Sequence, residues 1–320
     1  MEKVTIIIPV YNSEKYIERC LDSIRNESYK NIEVIALNDG SKDKSLKLLK
    51  DYKKKYKDFN LKIIDKENEG IAKTRNRGIE EATGDYIMFM DNDDYIDKDY
   101  VKHFMNAKDK ETDIVIGGYK RVSDDKILRE DTLHTNSPWS KYLIITPWSK
   151  LYRRKFLKDN NIKFLSYGIG EDVYFNLFAY QKTYNIKIIE YSEYNWYYND
   201  KSVSNTKHKG LNKDIDITYL LDNLNSKSKE KDIYYKYFIY RFCIWYLLYS
   251  GRYSNKEAFI NEYERLKKYL ISIDCYKVLS PFSSKLKGET FKNRFIVFAF
   301  KIISKLKLIK LFAKFYCRGE

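Results

Sequence analysis

The sequence predicts an α/β protein: a central, mostly parallel sheet in the first two-thirds of the chain, followed by a C-terminal helical region. Three observations carry this. Short β-branched runs alternate with helical periodicity over residues 1–118, and parallel neighbours need such crossovers. Polar and acidic clusters recur where those runs end. Charge also divides the chain: residues 229–320 hold 20 Lys+Arg against 8 Asp+Glu, so most of the formal +15 belongs to the last third.

Residues 4–9 are the first strand by their β-branched content, and Ser13 is expected to cap a helix whose apolar face carries Tyr16, Ile17, Cys20, Leu21 and Ile24. Residues 32–37 form a second strand running into Asn38-Asp39-Gly40-Ser41, then a helix with Leu46, Leu49 and Tyr56 on one face. Residues 61–64 are a third strand, 70–82 a third helix, and 86–90 a fourth strand that stops at Asp91-Asn92-Asp93-Asp94. A fifth strand falls at 114–116. Residues 119–205 are mixed, with short strands, a helix at 173–182, a strand at 186–190 and an aromatic run at 194–198.

Composition excludes several classes. With 43% hydrophobic residues and only 4 Pro and 12 Gly, the chain is neither disordered nor low-complexity. Cys20, Cys243, Cys275 and Cys317 lie far apart without a CxxC pair, which fits a reducing compartment and no zinc ribbon. Three histidines exclude His-rich metal sites, and the absence of GxGxxG and GxxxxGK[ST] excludes Rossmann dehydrogenases and P-loop NTPases. No signal-type apolar stretch precedes Pro9, and the longest uncharged apolar run, 242–251, is too short to span a bilayer. The expected location is cytoplasmic, at the inner face of the cell membrane.

In an open parallel sheet, ligands bind outside the carboxyl ends of the strands. Tyr11-Asn12, Asp39 and the Asp91/Asp93/Asp94 triplet all sit at such ends. Asp91 and Asp93, two residues apart, can converge on one hard cation that takes its other ligands from water and phosphate; the same residues would also serve as an acidic helix cap.

The ordered set 4–12 (VTIIIPVYN), 38–41 (NDGS), 68–78 (NEGIAKTRNRG) and 84–94 (GDYIMFMDNDD) resembles, in order and spacing, the nucleotide-binding half of family 2 glycosyltransferases. Residues 148–152 (WSKLY) and 170–175 (GEDVYF) resemble that family's acceptor-side elements. One departure is Asn38, where the family often has Asp. The resemblance implies a GT-A-like, nucleotide-sugar-binding catalytic domain over 1–208, with a nucleotide-binding half at 1–118 and an acceptor-side half at 119–208, and a separate helical region at 209–320. It further implies that Pro9, Tyr11, Asp39, Arg75 and Asp91 bind the nucleotide and that Asp93, with Asp91, holds Mg²⁺ or Mn²⁺. Asp172 is the expected base for the acceptor hydroxyl, with Glu171 as its acceptor-binding partner or reserve. Trp148 would floor a sugar ring, and Lys207 and His208 would lie on a loop over the diphosphate. The implied reaction is inverting single displacement from a nucleotide sugar, most often a UDP-sugar, to a glycan or lipid-linked acceptor. A sugar nucleotidyltransferase would show a Gly-rich, Lys-containing loop near its first strand, which PVYN at 9–12 is not; a non-catalytic membrane-bound binding protein is the other alternative.

Residues 285–320 carry ten Lys+Arg against two acids, in two phases: Arg294, Lys301 and Lys305 on one face, and Lys307, Lys310, Lys314 and Arg318 on another. Two successive amphipathic helices, or one broken near Leu306, would suit an anionic membrane surface. The alternation of these cations with long aliphatic and aromatic residues, and the lack of any recognised module, speak against nucleic acid.

Overall fold

β1 (Val4–Val10) is buried along its whole length and β2 (Ile32–Asp39) along all but its first residue, as strands covered on both faces must be. They pair in parallel, β4 (Tyr86–Phe89) pairs with β1 and β3 (Leu61–Lys66) with β2, again in parallel. The computed structural model describes residues 1–199, 210–211, 215–227 and 231–319. Its described chain divides into two units, Met1–Thr135 with Ile144–Asn199, and Asn136–Leu143 with Asp200–Glu320.

In the first unit the main sheet has the order β10-β6-β9-β4-β1-β2-β3. Here β6 is Ile114–Ile116, β9 is Lys150–Arg153 and β10 is Ile186–Ile188; β9 alone runs antiparallel, between β4 and β6. The expected α/β class with a mostly parallel sheet is therefore what forms. The crossover helices are α1 (Ile17–Arg25), α2 (Ser45–Lys55) and α3 (Ile71–Glu81), and α4 (Tyr100–Ala107) and α5 (Arg154–Asp159) follow. Gly78 lets α3 lie directly on β1, because a Cβ there would collide with Ile7. A smaller sheet, absent from the sequence reading, joins β5 (Tyr95–Ile96), β11 (Tyr194–Tyr197), β7 (Tyr119–Val122) and β8 (Ile127–Asp131) in that order.

Two local expectations shift. Ser13 does not cap α1 through its side chain; its carbonyl accepts from Tyr16 and Ile17 and its hydroxyl turns to the Tyr11 carbonyl. Tyr56 lies just past α2, whose core face is Ser45, Leu49 and Tyr52.

The second unit is helical. Its longest helix, Ile233–Gly251, is apolar around most of its circumference and buries Tyr235, Phe238, Phe242 and Leu247 among others. Residues 136–143 belong to this unit: Trp139 is fully buried against Tyr142 and Tyr237. The tail forms two helices, Phe291–Lys305 and Ile309–Tyr316, with Leu306 at the break. Arg294 departs from the expected cationic face, since its guanidinium clamps the carbonyls of Pro281, Ser283, Leu286 and Glu289. No helix of the described residues is long and apolar enough to cross a membrane.

Candidate active site

The loops that leave β1, β2 and β4 are bound to one another. Asn12, at φ 50°, donates its N–H to Ser41 and accepts from the Lys42 N–H, lacing the loops after β1 and β2. The carbonyl of buried Pro9 accepts from the Asn92 amide at 2.8 Å, tying β1 to the acidic turn, while Tyr11 is exposed.

Asp39, buried at the end of β2, pairs with Lys66 and accepts from the backbone N–H groups of Glu69 (2.9 Å) and Gly70 (3.0 Å) at the start of α3. Burial pushes this carboxyl up, but the Lys66 ammonium and the Glu69 N–H overcome it, and the net shift is downward. Asp39 therefore stays ionised and anchors the helix that carries Arg75.

Arg75 joins two distant parts of the chain. Its Nη2 donates to Asp91 Oδ1 at 2.9 Å and its Nη1 to Asp172 Oδ1 at 2.6 Å, while its guanidinium lies 5.3 Å from the Phe164 ring centre. Burial opposes the charge of Arg75, but Asp172 and Asp91 outweigh it, and its pKa is raised. The cation is 2% exposed, whereas the two carboxylates keep 30% and 28% of their surface open. A buried charge is tolerated only when paired and hydrogen-bonded in this way. Both terminal nitrogens of Arg75 thus face carboxylates, a bridging position that the sequence reading did not foresee.

Asp172 stands in the first turn of α6 (Glu171–Lys182), which Gly170 starts in the left-handed region at φ 77°. Burial pushes the Asp172 carboxyl up most strongly, Arg75 opposes it, Glu171 and Asp91 add to it, and together they raise it to about 7. That places its proton exchange near neutrality, where a general base operates. Lys150, fully buried on β9, donates to the carbonyls of Ile144 (3.0 Å) and Thr146 (2.5 Å). Burial brings its ammonium down to about 7, with Asp172 the opposing influence. Asn176 on α6 holds the same loop through the Ile145 carbonyl and accepts from the Tyr152 hydroxyl.

The acidic turn is braced on both sides. Asp93 Oδ2 accepts from Asn199 at 3.3 Å, and its carbonyl accepts from Arg19 Nη2 at 2.7 Å. Asp94, fully buried, accepts from the Tyr194 hydroxyl (2.6 Å) and the Tyr197 N–H (2.8 Å). The same Tyr194 hydroxyl accepts from the Asp91 N–H at 3.1 Å. Trp148, expected to floor a sugar ring, is buried and stacked face to face on Tyr194, with centroids 4.7 Å apart. Burial, then neighbouring acids, raise the carboxyls of Asp93 and Asp94.

Among the described residues no three His, Cys, Asp or Glu side chains converge as a metal cage. The acidic turn nevertheless fits a magnesium or manganese ion: its donors are hard carboxylate oxygens, such an ion commonly takes only one or two of them, and a cation would relieve their mutual repulsion.

A model of the family described as "Glycosyl transferase family 2" matches residues 5–170, more than half of the chain. The chain belongs to glycosyl transferase family 2. Within that family it is 34% identical to EpsH of Bacillus subtilis (strain 168) over 200 residues, 59% of this chain and 58% of EpsH. It is also 34% identical to the poly(ribitol-phosphate) beta-glucosyltransferase of Bacillus spizizenii over 206 residues, 61% of this chain and 32% of that protein. The alignments thus span less than two-thirds of either relative. In fold the chain resembles S. aureus TarS 1-349, solved in complex with UDP-GlcNAc, with a TM-score of 0.70 at 20% identity over 94% of this chain and 92% of that one.

Of the site residues expected from the sequence, Arg75, Asp91 and Asp172 meet in one hydrogen-bonded group. Asp93 and Glu171 adjoin it electrostatically, as neighbours of Asp91 and Asp172 respectively. Asp39 has separate partners at the start of α3. Lys207 and His208 lie outside the described residues. Tyr194, Asp94, Lys150, Asn176 and Arg19 carried no assigned role in the sequence reading. Tyr194 stood in the aromatic run and Lys150 inside the segment 148–152, but Arg19 and Asn176 are ordinary helical positions without a local signal.

Proposed function

We propose that this glycosyltransferase moves a sugar from a UDP-sugar to a hydroxyl of a surface-glycan or lipid-linked acceptor, by single displacement with inversion. The observation that carries this reading is the Arg75 bridge, which holds the first acid of the acidic turn and a near-neutral carboxyl on α6 against one cation. Two similar proteins support it: one is a poly(ribitol-phosphate) beta-glucosyltransferase, and TarS 1-349 forms a complex with UDP-GlcNAc.

Asp172 accepts the proton of the acceptor hydroxyl, and the freed oxygen attacks the anomeric carbon of the donor. The bond from that carbon to the diphosphate breaks on the opposite face, and its electron pair leaves with the diphosphate. Arg75 orients Asp172 and keeps it ionisable; Glu171 serves the acceptor side. Pro9, Tyr11, Asp39 and Asp91 line the nucleotide side. Mg²⁺ or Mn²⁺ held by Asp93 and Asp91 would supply charge neutralisation of the departing diphosphate.

The helical unit docks the enzyme on the inner face of the membrane. Phe291, Phe295, Phe298 and Ile302 form one exposed stripe along their helix at i, i+4, i+7 and i+11, and Leu311 and Phe315 are exposed four residues apart on the next, with exposed Leu308 at its start. Exposed Lys305, Lys307, Lys310 and Lys314 accompany them, the composition that an anionic lipid surface attracts.

The reading is tested by incubating the protein with Mn²⁺ and a panel of nucleotide sugars. Release of UDP from one donor, lost in Asp172→Asn, supports transfer; no nucleoside diphosphate from any donor contradicts it.

A further inference from the structure

Arg121 is a charged side chain that the chemistry above leaves unused. It lies on β7, whose register sets it beside Trp196 of β11. Its guanidinium is stacked 3.5 Å from the centre of the Trp196 ring, with the Tyr198 ring 5.2 Å away. Such a stack fixes the plane of the guanidinium and leaves its N–H edge to bind something else. The Nη1 of Arg121 is buried and, among the described residues, has no hydrogen-bond partner. Buried donors are almost always satisfied, so an orphan in a rigid setting marks a place for a group from outside the chain.

The obvious internal partners are engaged elsewhere. Asp94 takes its bonds from Tyr194 and Tyr197, and Asp93 takes one from Asn199. Tyr197, next to Trp196 in β11, gives its N–H to Asp94 at 2.8 Å, so the strand that carries the stack is tied to the acidic turn, and both acids act on Arg121 electrostatically, Asp94 more than Asp93. Burial works against its charge more strongly than these acids support it. A held, under-satisfied guanidinium next to carboxylates suited to a divalent ion is complementary to an anion with several oxygens, and a phosphate matches the fork best.

We infer that Arg121, braced on Trp196, binds a phosphate oxygen at the acceptor-side rim of the acidic turn. This rests on the sugar-nucleotide reading above. The oxygen comes either from the diphosphate of the donor or from a phosphate carried by the acceptor, and binding measurements separate the two. UDP and uridine are titrated by calorimetry in Mn²⁺ buffer into wild type, Arg121→Gln and Arg121→Lys. Glycerol phosphate is then followed by ³¹P line broadening on the UDP-loaded proteins.

A donor phosphate weakens UDP at least tenfold in Arg121→Gln while uridine binds as before. An acceptor phosphate leaves UDP within twofold and abolishes the glycerol phosphate broadening. Arg121→Lys, which keeps the charge and loses the fork, falls between, and it serves as the readout if Arg121→Gln does not fold. If wild type binds UDP and both variants match it for every probe, the Arg121 assignment is wrong and the sugar-nucleotide reading survives. If wild type itself binds neither UDP nor glycerol phosphate, both fall.

Discussion

The Tyr194 hydroxyl touches both ends of the acidic turn: it accepts from the Asp91 N–H at 3.1 Å and donates to Asp94 Oδ2 at 2.6 Å. One phenol on β11, the strand paired with β5, thereby braces a turn that follows β4. Asp91 in turn reaches Arg75, and Arg75 reaches Asp172. A single chain of hydrogen bonds, through buried Tyr194 and Arg75 and half-buried Asp91, therefore links the acidic turn to Asp172.

Tyr194→Phe keeps the stack on Trp148 and removes only the hydroxyl. It leaves the Asp91 N–H and one Asp94 oxygen without that partner, a cost of about 1–3 kcal/mol for a buried polar group. Thermal melting is expected to fall, and Mn²⁺-dependent UDP binding to weaken because the acidic turn loses its shape. Unchanged melting together with unchanged binding would mean that the hydroxyl is a bystander.

Trp148→Ala opens a cavity beneath Tyr194. A loss of about 3–5 kcal/mol of stability is expected for a buried Trp, measured by denaturant unfolding. If the variant were instead fully stable but selectively raised KM for the donor, Trp148 would be a sugar contact after all.

Arg75→Met leaves Asp91 and Asp172 without their shared cation. Removing one partner of a buried ion pair costs about 3–5 kcal/mol, so melting falls steeply. With the cation gone, the Asp172 carboxyl rises further, and the acidic limb of the rate profile of any folded fraction moves to higher pH.

The pH dependence of the wild type follows from the same group. In the proposed mechanism Asp172 acts in its deprotonated form, and its carboxyl is pushed up to about 7. Activity therefore climbs as pH rises through that value. Stability runs the other way: with the folded pKa above the unfolded one, this group's contribution is full below the ordinary Asp range and is lost as pH rises toward 7. A pH-rate profile and melting curves at matched pH check both signs.

The parallel core was legible because β1 and β2 are unbroken apolar runs and the helices between them have clear periodicity. Asp39 and the acidic turn at 91–94 stood out because they end strands, whereas Glu171 and Asp172, which open a helix, were marked only by the family resemblance. What the sequence concealed is non-local. The short strands β5 and β8 are too brief, or too exposed, to show a pattern, and they form a sheet only when β11 returns beside β7. Likewise an arginine at an ordinary helical position carries no sign that it will meet Asp172 from a segment far along the chain. Arg294 shows the same blindness in the tail: its spacing matched a solvated cationic face, but it closes a loop of carbonyls instead. Trp148 had the composition of a sugar platform, yet the aromatic run at 194–198 supplied it with a partner.

The base assignment is tested most directly by Asp172→Asn, compared with wild type for UDP-sugar affinity by calorimetry and for single-turnover sugar transfer. The expected result is donor binding within threefold and transfer reduced by at least about a hundredfold, the scale on which general-base catalysis acts. Transfer that continues at the wild-type rate, with the donor bound as before, would show that Asp172 is not the proton acceptor.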